Sequence, residues 1–133
     1  MIKKHIKYTD YNGGAREEDF YFHLTKADIT KMEMSVDGGL AERIQRIVQA
    51  KDQPAIIEVF EDLIKRSYGV KTADGKGFLR RSEDLEAFMA TEAYSILFME
   101  LATDADKAAE FVNGIVPADM AKKAAPAIAA SNN

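Results

Sequence analysis

The side chains that could do chemistry in this sequence fall into a few small groups. The only histidines, His5 and His23, bracket a run that contains Asp10 and Asp19. Paired strands that brought them to one face could assemble imidazole and carboxylate donors for a metal. Their spacing matches no fixed metal motif, so two ordinary polar-face histidines are expected. Gly69-Val70-Lys71-Thr72-Ala73-Asp74-Gly75-Lys76-Gly77 has the composition of a phosphate-binding loop. Five residues rather than four separate its first glycine from Gly75-Lys76, and Gly77 stands where a magnesium-binding hydroxyl is required. It reads as a turn. Asp37-Gly38-Gly39 and Asp104-Ala105-Asp106 do not continue into a calcium-binding loop and read as a turn and a cap. Glu58, Glu61 and Asp62 gather carboxylates on one helix, yet they alternate with its apolar face, which makes a solvated side. Ser35, Ser67, Ser82, Ser95 and Ser131 have no nucleophile-elbow context. No catalytic residue, cofactor or metal site is expected, and the protein reads as a non-enzyme.

The elements that must position these residues are more legible. In residues 2–24, Ile2, Ile6 and Tyr8 share one parity, and Phe20, Phe22 and Leu24 share another. That alternation predicts a β-hairpin with one apolar face, turning at Asn12-Gly13-Gly14. Lys3, Lys4 and Lys7 should face Glu17-Glu18-Asp19 across it. Thr25 with Asp28 forms an acidic capping box, and Leu24 with Ile29 a hydrophobic staple, so a helix starts there. Ile29, Met32 and Val36 continue its stripe, and Gly38-Gly39 ends it. Leu40, Ile44, Ile47 and Val48 follow helical spacing for a second helix. Asp52 or Gln53 caps a third before Pro54, with Ile56, Ile57, Phe60, Leu63 and Ile64 on its apolar face and Gly69 as its terminal glycine.

Residues 70–79 predict a minor hairpin around Asp74-Gly75. Ser82 is placed as the N-cap of a helix carrying Leu85, Phe88 and Met89. Thr91 starts or bends the next helix, in which Tyr94, Ile96, Leu97, Phe98, Met99 and Leu101 cover nearly the whole circumference. Such a helix is buried on most sides or meets a partner. Thr103 with Asp106 suggests another acidic capping box before the stripe of Ala105, Ala108, Ala109 and Val112, which stops at Asn113-Gly114. The expected fold is α+β and predominantly α-helical, an N-terminal β-hairpin packed on a bundle of about five to six short helices. Residues 1–117 are expected to form a single compact domain. Residues 118–133 read as an Ala-rich, partly disordered tail, with a short helix at most near residues 119–125.

Composition bounds the function classes. A chain of 133 residues has a one-domain prior and can bury a real core. It has no cysteine, hence neither disulfide nor thiolate zinc site. The N-terminal run is basic without an apolar stretch, so no secretory signal is expected. The longest strongly apolar run, Ile96–Met99, is far too short for a membrane span. Net charge is −4, and the small basic clusters Lys3/Lys4/Lys7, Lys65-Arg66 and Arg80-Arg81 each have a local explanation, so nucleic acid is not expected as a partner. Methionines are core fillers that also serve adaptable binding surfaces. Met34 falls off its helix's apolar stripe. Together with Phe88, Tyr94 and Phe98 it forms the expected partner-facing patch.

Several long runs carry a resemblance. They are Phe20-Tyr21-Phe22-His23-Leu24-Thr25-Lys26-Ala27, Met32-Glu33-Met34-Ser35 before Gly38-Gly39-Leu40, and Ser67-Tyr68-Gly69-Val70-Lys71 with Asp74-Gly75-Lys76-Gly77-Phe78. Thr91-Glu92-Ala93-Tyr94 through Phe98-Met99-Glu100-Leu101-Ala102-Thr103-Asp104-Ala105 to Phe111-Val112-Asn113-Gly114-Ile115-Val116-Pro117 adds the longest. Nearly everything up to Met120 resembles phage and prophage tail assembly chaperones of long-tailed phages. The resemblance implies a protein that binds the tape measure protein, keeps it soluble and helps the tail tube polymerise around it. It implies action in the host bacterial cytoplasm and absence from the mature virion. It also implies the tail tube protein as a further partner, and it is compatible with a homo-oligomer. Many such families make a longer form by ribosomal frameshifting, and Lys122-Lys123 could correspond to a slip site. The alternative is a structural tail or head-tail connector component. The resemblance carries no catalytic or binding residue across.

Overall fold

A computed structural model describes residues 1–35, 46, 50 and 52–116. The alternating N-terminal residues form β1 (Ile2–Thr9) and β2 (Ala15–Phe22), paired antiparallel with Ile2 opposite Phe22 and Tyr8 opposite Arg16. Asp10 closes the loop between them. Its backbone N–H donates to the Gly14 carbonyl at 2.9 Å, and its carboxylate accepts from Asn12 N, Gly14 N and Arg16 Nε. The register corrects part of the expected charge pairing. Lys7 does face Glu17, whereas Lys3 lies opposite Tyr21 and Lys4 opposite Phe20. Lys4 points the other way and pairs with a helical carboxylate, Glu100, at 2.7 Å.

The expected capping box opens α1 (Lys26–Ser35). Thr25 N donates to Asp28 Oδ2 at 2.8 Å, and Asp28 N donates back to Thr25 Oγ1 at 3.1 Å. Leu24 and Ile29, the staple pair, are both buried. Asp52 caps α2 (Gln53–Ser67) by accepting from Ala55 N, with Pro54 in the first turn. Glu61–Lys65 and Asp62–Arg66 are i,i+4 ion pairs on its solvated side. The apolar positions of the predicted second helix, Leu40, Ile44, Ile47 and Val48, lie outside the described residues, as do Val36, Asp37-Gly38-Gly39 and everything from Pro117 onward.

The chain leaves α2 directly into a strand, β3 (Tyr68–Lys71), and returns through β4 (Phe78–Leu79). The expected minor hairpin forms, with Val70 opposite Leu79, and it joins the first: β3 pairs with β2, Tyr21 opposite Gly69, giving one antiparallel sheet in the order β1-β2-β3-β4. One expectation is corrected here, since Gly69 is not a helix terminator. It sits in β3, where a Cβ would lie 2.6 Å from the Phe78 ring and 2.8 Å from the Leu79 carbonyl. Only hydrogen in that place lets β4 close on β3.

The remaining helices are α3 (Ser82–Met89), α4 (Glu92–Thr103) and α5 (Ala105–Ile115). Ser82 is the first helical residue rather than the cap. Arg81 holds the cap position and binds Asp84 at 2.7 Å. Thr91 does start a new helix, but its hydroxyl donates back to the Phe88 carbonyl. Thr103 is the last residue of α4. Asp104 caps α5, accepting from Asp106 N and Lys107 N. The helix also runs through Asn113-Gly114 to Ile115, and a Cβ on Gly114 would meet Ile2 at 2.9 Å. This close approach, with Leu24 N donating to the Ile115 carbonyl at 2.6 Å, ties the end of α5 to the sheet.

The fold is α+β and mostly helical, with the hairpin side of the sheet packed on helices. Sheet and helices share one hydrophobic cluster, in which Phe22, Leu24, Ile64, Leu97, Phe111 and Ile115 are shut from solvent. Ser67, the buried hydroxyl where α2 meets β3, donates to the Leu63 carbonyl at 2.6 Å.

Candidate interaction surface

The helix expected to be apolar all round resolves into faces. Ala93, Leu97 and Leu101, spaced four apart, form the inner face of α4 and are buried. Tyr94 and Phe98 form a half-buried flank, with ring centroids 6.2 Å apart. Glu100 reaches β1 to bind Lys4. The outer face carries Ile96 and Met99, 42 % and 53 % exposed. Burial on most sides is thus only half of the outcome. The rest is an apolar stripe open to solvent, flanked by exposed Glu92, Ser95, Ala102 and Thr103.

The residues expected to form a partner-facing patch do not come together as one. Phe88 is 2 % exposed and is the hub of an aromatic cluster. Its ring stacks on Tyr68 at 4.5 Å, lies 4.9 Å from Phe20 and 5.9 Å from Phe22, and meets Tyr94 edge-on at 5.7 Å. A side chain so enclosed belongs to the core rather than to the exposed surface. Tyr94 and Phe98 lie on another flank of α4, separated from Ile96 and Met99 by Ser95 and Ala102. Burial, then the nearby Glu61 carboxylate, pushes the Tyr94 phenol above its ordinary range. Met34 is 82 % exposed on α1, which is not among the elements packed closely on α4. Sequence reasoning passed over Ile96 and Met99 as an outer pair because helical spacing alone does not say which side of an all-apolar helix faces the core.

The groups with chemical potential are held in structural roles. His5 stands between two carboxylates of β2, with Nδ1 2.6 Å from Asp19 Oδ1 and Nε2 2.5 Å from Glu17 Oε1. These hydrogen bonds, Asp19 first and Glu17 second, raise the His5 pKa. His23 is held apart from this trio against the Phe78 ring, and burial lowers its pKa. Among the described residues no group of His, Asp or Glu has the arrangement to hold a metal ion. Tyr8 donates to Glu18 on the inner side of the hairpin.

The loop that resembled a phosphate cradle is a turn organised by its own side chains. Thr72 Oγ1 donates to Asp74 Oδ1 and accepts from Gly77 N, and Asp74 also accepts from Lys76 N. A cleft of ≈ 370 Å³ between α1 and α2 is lined by Leu24, Asp28, Lys31, Met32, Arg66 and Arg80. The Arg80–Asp28 ion pair at 2.6 Å makes it a joint between elements. Burial would raise the Asp28 pKa, but the Thr25 and Arg80 hydrogen bonds outweigh it and hold it low.

A family model described as phage tail assembly chaperone matches residues 1–133, the whole chain. The chain belongs to the phage tail assembly chaperone family. No curated protein and no solved structure matches it. For a tail assembly chaperone, the relevant feature is a surface offered to other proteins. No described helix is long and apolar enough to cross a membrane.

Proposed function

We propose that this protein is a non-enzymatic tail assembly chaperone that binds the tape measure protein through the outer face of α4 and promotes assembly of the tail tube. The observation that carries the reading is the exposed Ile96–Met99 stripe on a helix of a protein whose whole length matches the chaperone family. A long helical client shielded from water needs apolar contacts of this kind, and an amphipathic helix laid on an apolar stripe is a recurring recognition mode. Tyr94 and Phe98, backed by Phe88, offer a half-exposed aromatic contact on another flank of α4, and Met34 offers a further adaptable apolar contact on α1.

On this reading the protein acts in the host cytoplasm and leaves before the particle is finished. A longer form arises where the gene carries a slippery heptamer near the Lys122-Lys123 codons and an overlapping frame. Co-expression with the tape measure protein of the same phage tests the core of the proposal. The client should stay soluble and co-purify. A client that is equally insoluble with and without this chain would sink it, and recovery of this chain in stoichiometric amounts from purified particles would replace it with a structural role.

A further inference from the structure

The two edges of the sheet differ in kind. β4 is two residues long, a short edge of the sort that limits strand pairing. β1 is eight residues long and lies at the other end of the strand order. It contains no proline and pairs with β2 without a break from Ile2 to Thr9.

The direction of its free backbone groups follows from two hydrogen bonds. Asp10 N donates to the Gly14 carbonyl, which continues the β1–β2 register, so even-numbered residues of β1 direct N–H and C=O to β2. His23 N donates to the Ser67 carbonyl, so odd-numbered residues of β2 direct theirs to β3, as alternation requires. Lys3, His5, Lys7 and Thr9 therefore aim their N–H and C=O groups away from the sheet. Among the described residues no backbone hydrogen bond leaves that edge.

The same alternation places the side chains of these four residues on one face. That face is ordered in columns of charge. β1 contributes Lys3, His5 and Lys7. β2 contributes Glu17 and Asp19, both bound to His5. β3 contributes Lys71, whose ammonium lies 4.2 Å over the Tyr21 ring. The sign runs positive, negative, positive from strand to strand, and the next column beyond β1 is missing.

We propose that the free edge of β1 receives an extended acidic segment of a partner protein by strand addition, with a carboxylate at every second residue set beside Lys3 and Lys7. The ladder would use the N–H and C=O groups of Lys3, His5, Lys7 and Thr9. A side chain on an added strand lies about 5 Å from its β1 neighbour, and the carboxylates of β2 lie a full strand further off. A second copy of this chain is a poor occupant. Antiparallel pairing about His5 would set Lys3 against Lys7 twice, and like charges directly opposite are destabilising. Lysines on an edge also discourage self-association. Both effects have one origin, since a cationic column selects an anionic neighbour. This surface is independent of the α4 stripe and does not rest on the tape measure reading.

Amide hydrogen exchange on the full chain, followed by NMR, tests the proposal with two peptide probes of equal length, one alternating glutamate and valine, the other lysine and valine. The acidic peptide should slow exchange at Lys3, His5, Lys7 and Thr9 by roughly tenfold or more, the scale of one hydrogen-bond step in stability. The basic peptide should leave them unchanged. An acidic peptide N-methylated at every residue should lose the effect, because it keeps the charge and removes the N–H groups of both its edges. The Lys3→Gln/Lys7→Gln chain, which leaves the inner face untouched, should lose the preference for acid. Unchanged exchange at the four amides, equal protection by both peptides, or full protection by the methylated peptide would each overturn the proposal.

Discussion

The outward faces of the sheet and of α4 handle water in opposite ways. On the sheet, His5, Glu17 and Asp19 are exposed, with His5 bound to both carboxylates, and Lys71 covers Tyr21. On α4, Ile96 and Met99 are exposed beside Ser95, Ala102 and Thr103, with the charge of Glu92 one turn before Ile96. One surface is directional, ordered by charge and by the free backbone groups of β1. The other is non-directional and adaptable, because thioether and aliphatic groups repack at little cost. Both rest on the same aromatic layer, since Phe88 touches Phe20 and Phe22 of the sheet and Tyr94 of α4. If both proposals hold, the chaperone can take two kinds of segment without using one surface for the other's task.

The largest way to break the contrast is to remove the shared support. Phe88→Ala should cost about 3–5 kcal/mol, as for other large-to-small core changes. Chemical denaturation should show it, and both surfaces should fail together. If the sheet face survived in such a variant while α4 did not, the two would not share a foundation.

Gly69→Ala comes next. The added methyl meets the Phe78 ring and the Leu79 carbonyl, so about 1–3 kcal/mol of strain is expected, and it should fall on the sheet side. Amide exchange at Val70 and Leu79 should speed up while the inner face of α4, at Leu97 and Leu101, stays protected.

Ile96→Ser with Met99→Ser separates function from folding. Each side chain is only about half buried, so the change in stability should stay on the order of 1 kcal/mol, well below that of Phe88→Ala. Solubilisation of the tape measure protein should nonetheless be lost. Intact solubilisation would move the client surface elsewhere, with Met34 on α1 as the next position to change.

The smallest effect is electrostatic and confined to the sheet. The His5 pKa is raised above 6.5, so its stabilising contribution is complete below 6.5 and is lost as pH rises through the raised value. The Glu17 and Asp19 values are lowered from 4.5 and 3.8 by the same His5 hydrogen bonds, so their contribution is complete above those values and is lost as pH falls through the lowered ones. The trio is therefore most stabilising between about pH 4.5 and 6.5. The group is exposed, so the effect should be small and should shrink with salt. His5→Gln should flatten the shallow decline in thermal midpoint above pH 6.5, and a decline of equal slope in that variant would assign it to other groups.

Local signals read well from the chain. The Thr25–Asp28 box, the Leu24–Ile29 staple, the Asp52 cap and the hairpin alternation each involve residues a few positions apart, and the structure realises all four. Signals that sat one residue off were decided by competition. Asp104 displaced Thr103 as a cap because its carboxylate reaches two N–H groups, while the Thr103 hydroxyl bonds back to Met99. The candidate surface was half legible. Its helix was marked by an excess of apolar residues, yet Phe88 belonged to the core and Ile96 and Met99 to the outside.

The sequence by itself determined the alternation of the hairpin, the helix starts, the mostly helical α+β class and the family, all properties of neighbouring residues or of the whole chain matched at once. Only the tertiary structure decided that β3 joins β2, that Gly69 and Gly114 are gaps for Phe78 and Ile2, and that α4 turns Leu97 inward and Ile96 outward. The reason is range. Capping and periodicity are set by bonds and pleats within a few residues, whereas packing and strand addition depend on partners far along the chain, which no local pattern names.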